Sequence, residues 1–150
     1  MSTKQPLAAP PDVVRWTARG GLHGDCAIAA VAMACGVTYE TALVAACTIC
    51  RNPLVKGMTA AQLLRAARAL RCAAEWTVFE RIHFEDATGI LWLQSTQLGV
   101  KEDHVVYLWG GRIVEPKFDR QELWEDPEQF FSHYGYRVAR MLTVTRNEDI

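Results

Sequence analysis

The sequence predicts an α+β fold with N-terminal helices, one of them a central cysteine-bearing helix packed on a small antiparallel β-sheet. Three observations carry that expectation. Residues 26–35 are small or apolar on nearly every side, the pattern of a helix buried in the middle of a domain. Helical stripes continue to Arg71, after which the chain turns to short β-rich runs. Gly110-Gly111, between two of those runs, is a two-residue hairpin turn. Helices first and an antiparallel sheet second is the α+β layout.

In chain order, residues 1–12 hold three prolines and read as a loose leader, and Gly20, Gly21 and Gly24 point to irregular backbone before Asp25. Asp25 is expected to cap the helix over 26–35, and Gly36 supplies its left-handed end. Thr38 caps a second helix over 39–50, with Tyr39, Ala42, Leu43 and Ala46 on one stripe. Thr59 caps a third, where Ala60, Leu63, Leu64, Ala67 and Leu70 face inward, Arg65, Arg68 and Arg71 face outward, and Met58 staples onto Leu63. Residues 74–80, 90–94, 104–109, 112–115 and 136–144 are the β-rich runs. The stretch 118–135 reads as a mixed helical or loop excursion, and 117–135, like 13–24 and 95–103, is expected to form loops that shape specificity.

Composition narrows the function classes. At 150 residues the chain is near the commonest domain size, and 13–150 reads as one domain. Half the residues are hydrophobic, 22% are charged and the formal net charge is -1, which leaves neither disorder nor an electrostatic grip on nucleic acid. The first ten residues lack the apolar core of a secretory signal, and no run reaches membrane-spanning length. A cytoplasmic protein without a membrane or nucleic-acid partner is expected. Its five cysteines are then reduced thiols, each to be explained as packing, metal ligand or nucleophile.

The hairpin carries the most geometry. A two-glycine turn sets Trp109 opposite Arg112, Leu108 opposite Ile113, Tyr107 opposite Val114, Val106 opposite Glu115 and Val105 opposite Pro116. Alternation then puts His104, Val106, Leu108, Ile113 and Glu115 on one face, with Val105, Tyr107, Trp109, Arg112 and Val114 on the other. His104 and Glu115 become diagonal neighbours, with roughly 7 Å between their backbones, on a face otherwise aliphatic. They read either as a buried structural pair or as a carboxylate orienting a histidine whose other nitrogen serves a nucleophile. The aliphatic face needs cover, and the helix beginning at Cys26 is the expected cover, which brings its N-terminus to His104. There the helix dipole and a nearby imidazolium both favour thiolate at Cys26, and the first-turn Cys26 N–H is aimed where an oxyanion would form.

Asp25-Cys26 opening a small-residue helix that ends at Gly36, followed far downstream by His104, a short hairpin and an acidic residue before Pro116, resembles the papain-like cysteine peptidases. The likeness is closest to the bacteriocin-processing C39-like branch and to small C39-like proteins of phages and bacteria. It covers about 26–50 and 104–116, with looser agreement in the helix after Gly57. The resemblance implies a papain-like fold with Cys26 as nucleophile, His104 as general base and Glu115 as the residue that orients it. It also implies a protein or peptide substrate and no cofactor. The chain departs from the family at three positions. Gly20 stands near where a glutamine usually donates to the oxyanion, Ala27 replaces a glycine, and Glu115 replaces Asp or Asn. His23, three residues before Cys26, is the candidate for the missing oxyanion donor.

Cys47-Thr48-Ile49-Cys50 is a CxxC that could join Cys35 and Cys72 in a four-thiolate zinc site. No second CxxC accompanies it, and Cys35 and Cys72 lie in alanine-rich segments where cysteine is an ordinary small core residue, so no metal site is expected. His83 and His133 read as surface histidines. Tyr107 and Trp109, beside Arg112, either pack on another layer or form a patch for a protein partner.

The expected activity is thiol-dependent hydrolysis of an amide or thioester bond through Cys26, His104 and Glu115. One alternative is a catalytically weak papain-like scaffold that binds protein, for example as an inhibitor of a host factor. Another is acyl transfer of the deamidase or transglutaminase type.

Overall fold

Small side chains decide how closely the first helix approaches the sheet. The computed structural model describes residues 25–78, 80, 82–85, 87–99, 103–116 and 121–146. All eleven residues of α1 (Asp25–Cys35) are buried, and five of them are alanine. With little side chain to hold the axis off, the helix lies close on its neighbours. Asp25 is the first helical residue rather than the expected cap, and its wholly buried carboxylate accepts a 3.2 Å hydrogen bond from the Tyr39 hydroxyl.

Thr38 caps α2 (Tyr39–Ile49), accepting from the Thr41 N–H. A single turn that the sequence reading lacked, α3 (Pro53–Lys56), begins at a proline, whose fixed φ suits a first helical position. Thr59 and Gln62 form a reciprocal capping box at the head of α4 (Ala60–Ala69), with bonds of 3.2 and 2.9 Å. No single described helix is long and apolar enough to cross a membrane.

The sheet has six strands, all paired antiparallel: β1 (Cys72–Val78), β2 (Gly89–Ser95), β3 (Asp103–Trp109), β4 (Arg112–Pro116), β5 (Gln121–Trp124) and β6 (Tyr136–Arg146). Their spatial order is β1-β6-β2-β3-β4-β5. The fold class is therefore α+β. The stretch read as a helical or loop excursion contains both β5 and a capped helix, α5 (Pro127–Tyr134), with Asp126 as N-cap and Gly135 as left-handed end. Most of what was expected to shape specificity there is scaffold, because Phe130 and Phe131 need burial against the sheet.

The hairpin turn has positive φ at both Gly110 and Gly111, and the pairs Trp109/Arg112, Leu108/Ile113 and Tyr107/Val114 form as the turn dictates. Past Val114 the ladder with β3 stops. On its other edge β4 pairs with β5 from Ile113 through Pro116, while the expected pairs Val106/Glu115 and Val105/Pro116 with β3 are absent. The far end of β4 thus pairs with β5 only.

One expectation about layers is overturned. Helix α1 packs on the Val105, Tyr107 and Val114 face of the hairpin, not on the Val106, Leu108 and Ile113 face. The alternation argument assumed that only one face would be buried, yet this sheet is covered on both sides. On the second face, Phe130 and Phe131 of α5 join Leu91, Leu93, Val106, Leu108, Ile113 and Met141. Tyr107 and Trp109 accordingly pack against the helical layer.

β6 holds both faces by means of a bulge. Trp92 of β2 pairs with Arg140 and Leu93 with Val138, leaving Ala139 as the extra residue. Val138 and Tyr136 thereby stay on the same face as Met141, from which strict alternation would remove them. A Cβ at Gly111, whose φ is 84°, would lie 2.6 Å from the carbonyl oxygens of Phe84 and Glu85. Left-handed backbone alone costs a residue with a Cβ roughly 1–2 kcal/mol, so Gly111→Ala should lower unfolding stability by at least about that much. Urea denaturation with an unchanged midpoint would contradict this account of the turn.

Candidate active site

Three elements meet where β4 parts from β3. His104 is the second residue of β3, Glu115 is near the end of β4, and Cys26 is in the first turn of α1. The His104 Nε2–H donates to the Glu115 carboxylate, with Nε2 2.7 Å from Oε2 and 2.9 Å from Oε1. The histidine side chain is 14% exposed and the glutamate 4%. Cys26, itself 7% exposed, is in side-chain hydrogen-bonding contact with the same imidazole. Glu115 occupies Nε2, so Nδ1 is the nitrogen left for a second partner. Helix α1 comes from one face of the sheet and the His104–Glu115 pair belongs to the other. Their contact is made at the sheet end, where the strands have separated.

Charge on His104 is set by competition. Burial disfavours the imidazolium, but the Glu115 carboxylate and the hydrogen bonds to Cys26 and Glu115 outweigh it and push the group from its ordinary 6.5 up to about 10. The Cys26 charge also contributes to that rise. Cys26 lies in the first turn of α1, at the positive end of the helix and among N–H groups that fall outside the helix's own hydrogen-bond ladder.

Two neighbours steady the pair. The His104 ring lies 5.4 Å from the Tyr136 ring with 18° between their planes. The Trp92 indole donates a 3.1 Å hydrogen bond to Asp103, tying down the residue before His104. Reading the sequence did not find the Tyr136 contact. Gly135 marks where the strand starts, but which face Tyr136 takes depends on the Ala139 bulge, and nothing local in the sequence signals it.

The remaining candidates lie apart or in other roles. His23 and Gly20 fall outside the described residues, as does the leader 1–12. Cys35 and Cys72 adjoin each other at the opposite end of α1, where burial and then Cys72 push the Cys35 thiol up. Cys47 is exposed, and partial burial with Cys47 alongside raises Cys50. Among the described residues no group of three or more His, Cys, Asp or Glu side chains could hold a metal ion. His83 and His133 are exposed, His133 resting against Trp124 and Tyr134.

No protein-family model, characterised protein or solved structure matches the chain.

A histidine whose folded pKa is raised contributes stability that is fully present below 6.5 and is lost as pH climbs through about 10. The folded protein should therefore weaken across that interval, and the His104 ring signals in NMR should titrate with a midpoint near the upper value. In Glu115→Gln burial is opposed by the Cys26 contributions alone, so the midpoint should fall from about 10 toward the ordinary 6.5. A midpoint unmoved by that substitution would exclude Glu115 as the cause.

Proposed function

We propose that the protein is a papain-like, cysteine-dependent hydrolase acting on an amide or thioester bond. The observation that carries this reading is one continuous line of contacts, from a thiol in the first turn of a helix, through a single imidazole, to a buried carboxylate. A structural ion pair has no need of a thiol at its open end.

In the proposed cycle Cys26 and His104 rest as thiolate and imidazolium. The thiolate attacks the substrate carbonyl carbon, and the Cys26 N–H stabilises the resulting oxyanion. When the tetrahedral intermediate collapses, the bond to the leaving nitrogen or sulfur breaks and the proton on His104 passes to the leaving group. Neutral His104 then takes a proton from water, whose oxygen attacks the thioester, and Cys26 leaves as thiolate while His104 returns to imidazolium. Glu115 keeps the ring oriented throughout and stabilises its charged form. Peptide bonds are the proposed target because of the resemblance in residues 26–50 and 104–116. Acyl transfer to an amine in place of water would use the same intermediate.

A scaffold that binds a host protein instead is favoured by one departure from the family, Gly20 near where a glutamine usually donates to the oxyanion.

Iodoacetamide alkylation of each cysteine, followed by mass spectrometry against pH, separates the readings. Cys26 alone should react fast at pH 6, well under the free-thiol value of about 8.5, and His104→Ala should slow it at least tenfold. Thiolate ultraviolet absorbance over the same range gives the answer independently of reagent access. An ordinary titration of Cys26 by both methods would sink the hydrolase reading and leave the binding scaffold.

A further inference from the structure

We infer that Tyr136 is a positioning residue for His104: its stacked ring fixes the plane in which one imidazole nitrogen meets Glu115 and the other meets Cys26. This rests on the hydrolase reading for its consequence, although the geometry stands independently.

The need for such a residue follows from the side chain itself. The outer torsion of histidine is broad and roughly two-fold, so the torsion alone does not define the ring plane. Glu115 constrains only one edge of the ring, and both of its oxygens lie within 2.9 Å of the same nitrogen. A ring held only there can still swing about that contact and carry Nδ1 away from the sulfur. A second constraint must act on the ring face. Tyr136 provides it, at 5.4 Å and nearly parallel.

Tyr136 is backed in turn. The Phe130 ring lies 6.2 Å from it with 24° between planes, and the Tyr134 ring lies 6.4 Å away. Phe130 is completely buried and Tyr134 donates a 2.9 Å hydrogen bond to Glu122, the residue opposite Glu115 on β5. The wall behind the imidazole is therefore anchored in α5 and β5. An aromatic face also attracts an imidazolium, and it limits the approach of water to the Glu115 contact from that side. The Ala139 bulge makes the arrangement possible by keeping Tyr136 on the face that His104 shares. A one-residue extra in β6 is thus part of the site, although it touches none of its atoms.

The test uses the full chain with Tyr136→Phe, Tyr136→Leu and Phe131→Leu. Two quantities are read in each: the pH profile of Cys26 alkylation by iodoacetamide, and the ring signals of His104 in NMR. Tyr136→Phe should keep the wild-type profile, since the stack survives. Tyr136→Leu should slow alkylation at pH 6 by roughly ten- to a hundredfold, the range a displaced reacting group produces, and should change the His104 signals. Phe131→Leu should lower the melting temperature with the profile retained, because Phe131 fills the same core against Phe84 and Phe130 rather than against Tyr136. Should Tyr136→Leu fail to fold, Tyr136→Met carries the same comparison with a longer, ringless side chain.

A folded Tyr136→Leu that keeps the wild-type profile would overturn the inference. So would a Phe131→Leu that alters the profile as much. If wild-type Cys26 proves independent of His104, the hydrolase reading fails by itself. The His104 signals then decide, and signals unchanged between wild type and Tyr136→Leu overturn the positioning role as well.

Discussion

Burial of α1 along its whole length is the constraint on which the other elements depend. No residue from Asp25 to Cys35 is more than 7% exposed, so the helix needs cover on every side, and the sheet, α2, α3 and α4 provide it. Ile28, Val31 and Met33 are its large side chains, each worth roughly 1.5–3 kcal/mol when taken fully out of water. The alanines contribute little individually but set the close spacing that makes those burials complete. Both ends are tied. The Arg146 guanidinium donates to the Ala34 and Met33 carbonyls at 3.1 and 3.0 Å, satisfying groups the helix leaves open at its C-terminus. Asp25 is held by Tyr39 of α2. A helix fixed at both ends delivers its first turn, and Cys26 with it, to one place.

Two cores follow from this arrangement, and the site lies where they come together. One lies between the sheet and the α1 layer, the other under α5. His104 and Glu115 belong to the second by alternation, and Cys26 belongs to the first by helix position. Contact between them requires an opening, which lies where the β3–β4 ladder ends after Val114 while the β4–β5 ladder runs on. The low-dielectric surroundings that result explain why a carboxylate can hold its histidine charged so far above the ordinary range.

The five thiols show how environment sorts identical chemistry. Cys26 sits at the positive end of a helix beside an imidazolium. Cys35 sits near the other end of the same helix, where burial and the adjacent Cys72 push its thiol up despite Arg146 nearby. Tyr107 is raised there too, by burial first, with Arg146 acting against it. Cys47 and Cys50 lie at the end of α2 around a shallow depression bordered by Arg51 and Asn52, and Cys50 donates to the Ala46 carbonyl. Cys26 is set apart from the other four by its contact with the His104 imidazole.

Local chemistry determined much of this protein in advance. The caps Thr38 and Thr59, the two-glycine turn and its three pairs, and the buried character of 26–35 are all written in short stretches, because caps, turns and periodicity act over a few residues. The meeting of His104 with Glu115 was legible from alternation, which puts both on one face of the hairpin, although the Val106/Glu115 pair expected from the turn does not form. Other features were decided only by tertiary structure. The face that α1 covers could not be read, because both faces of the hairpin are apolar enough to be buried. β5 was hidden because Gln121–Trp124 is short and polar and becomes a strand by pairing with β4. The Tyr136 stack depends on a bulge produced by competition between two packed faces. Sequence fixes what neighbours in the chain can do alone, whereas which layers face each other is settled by the whole core at once.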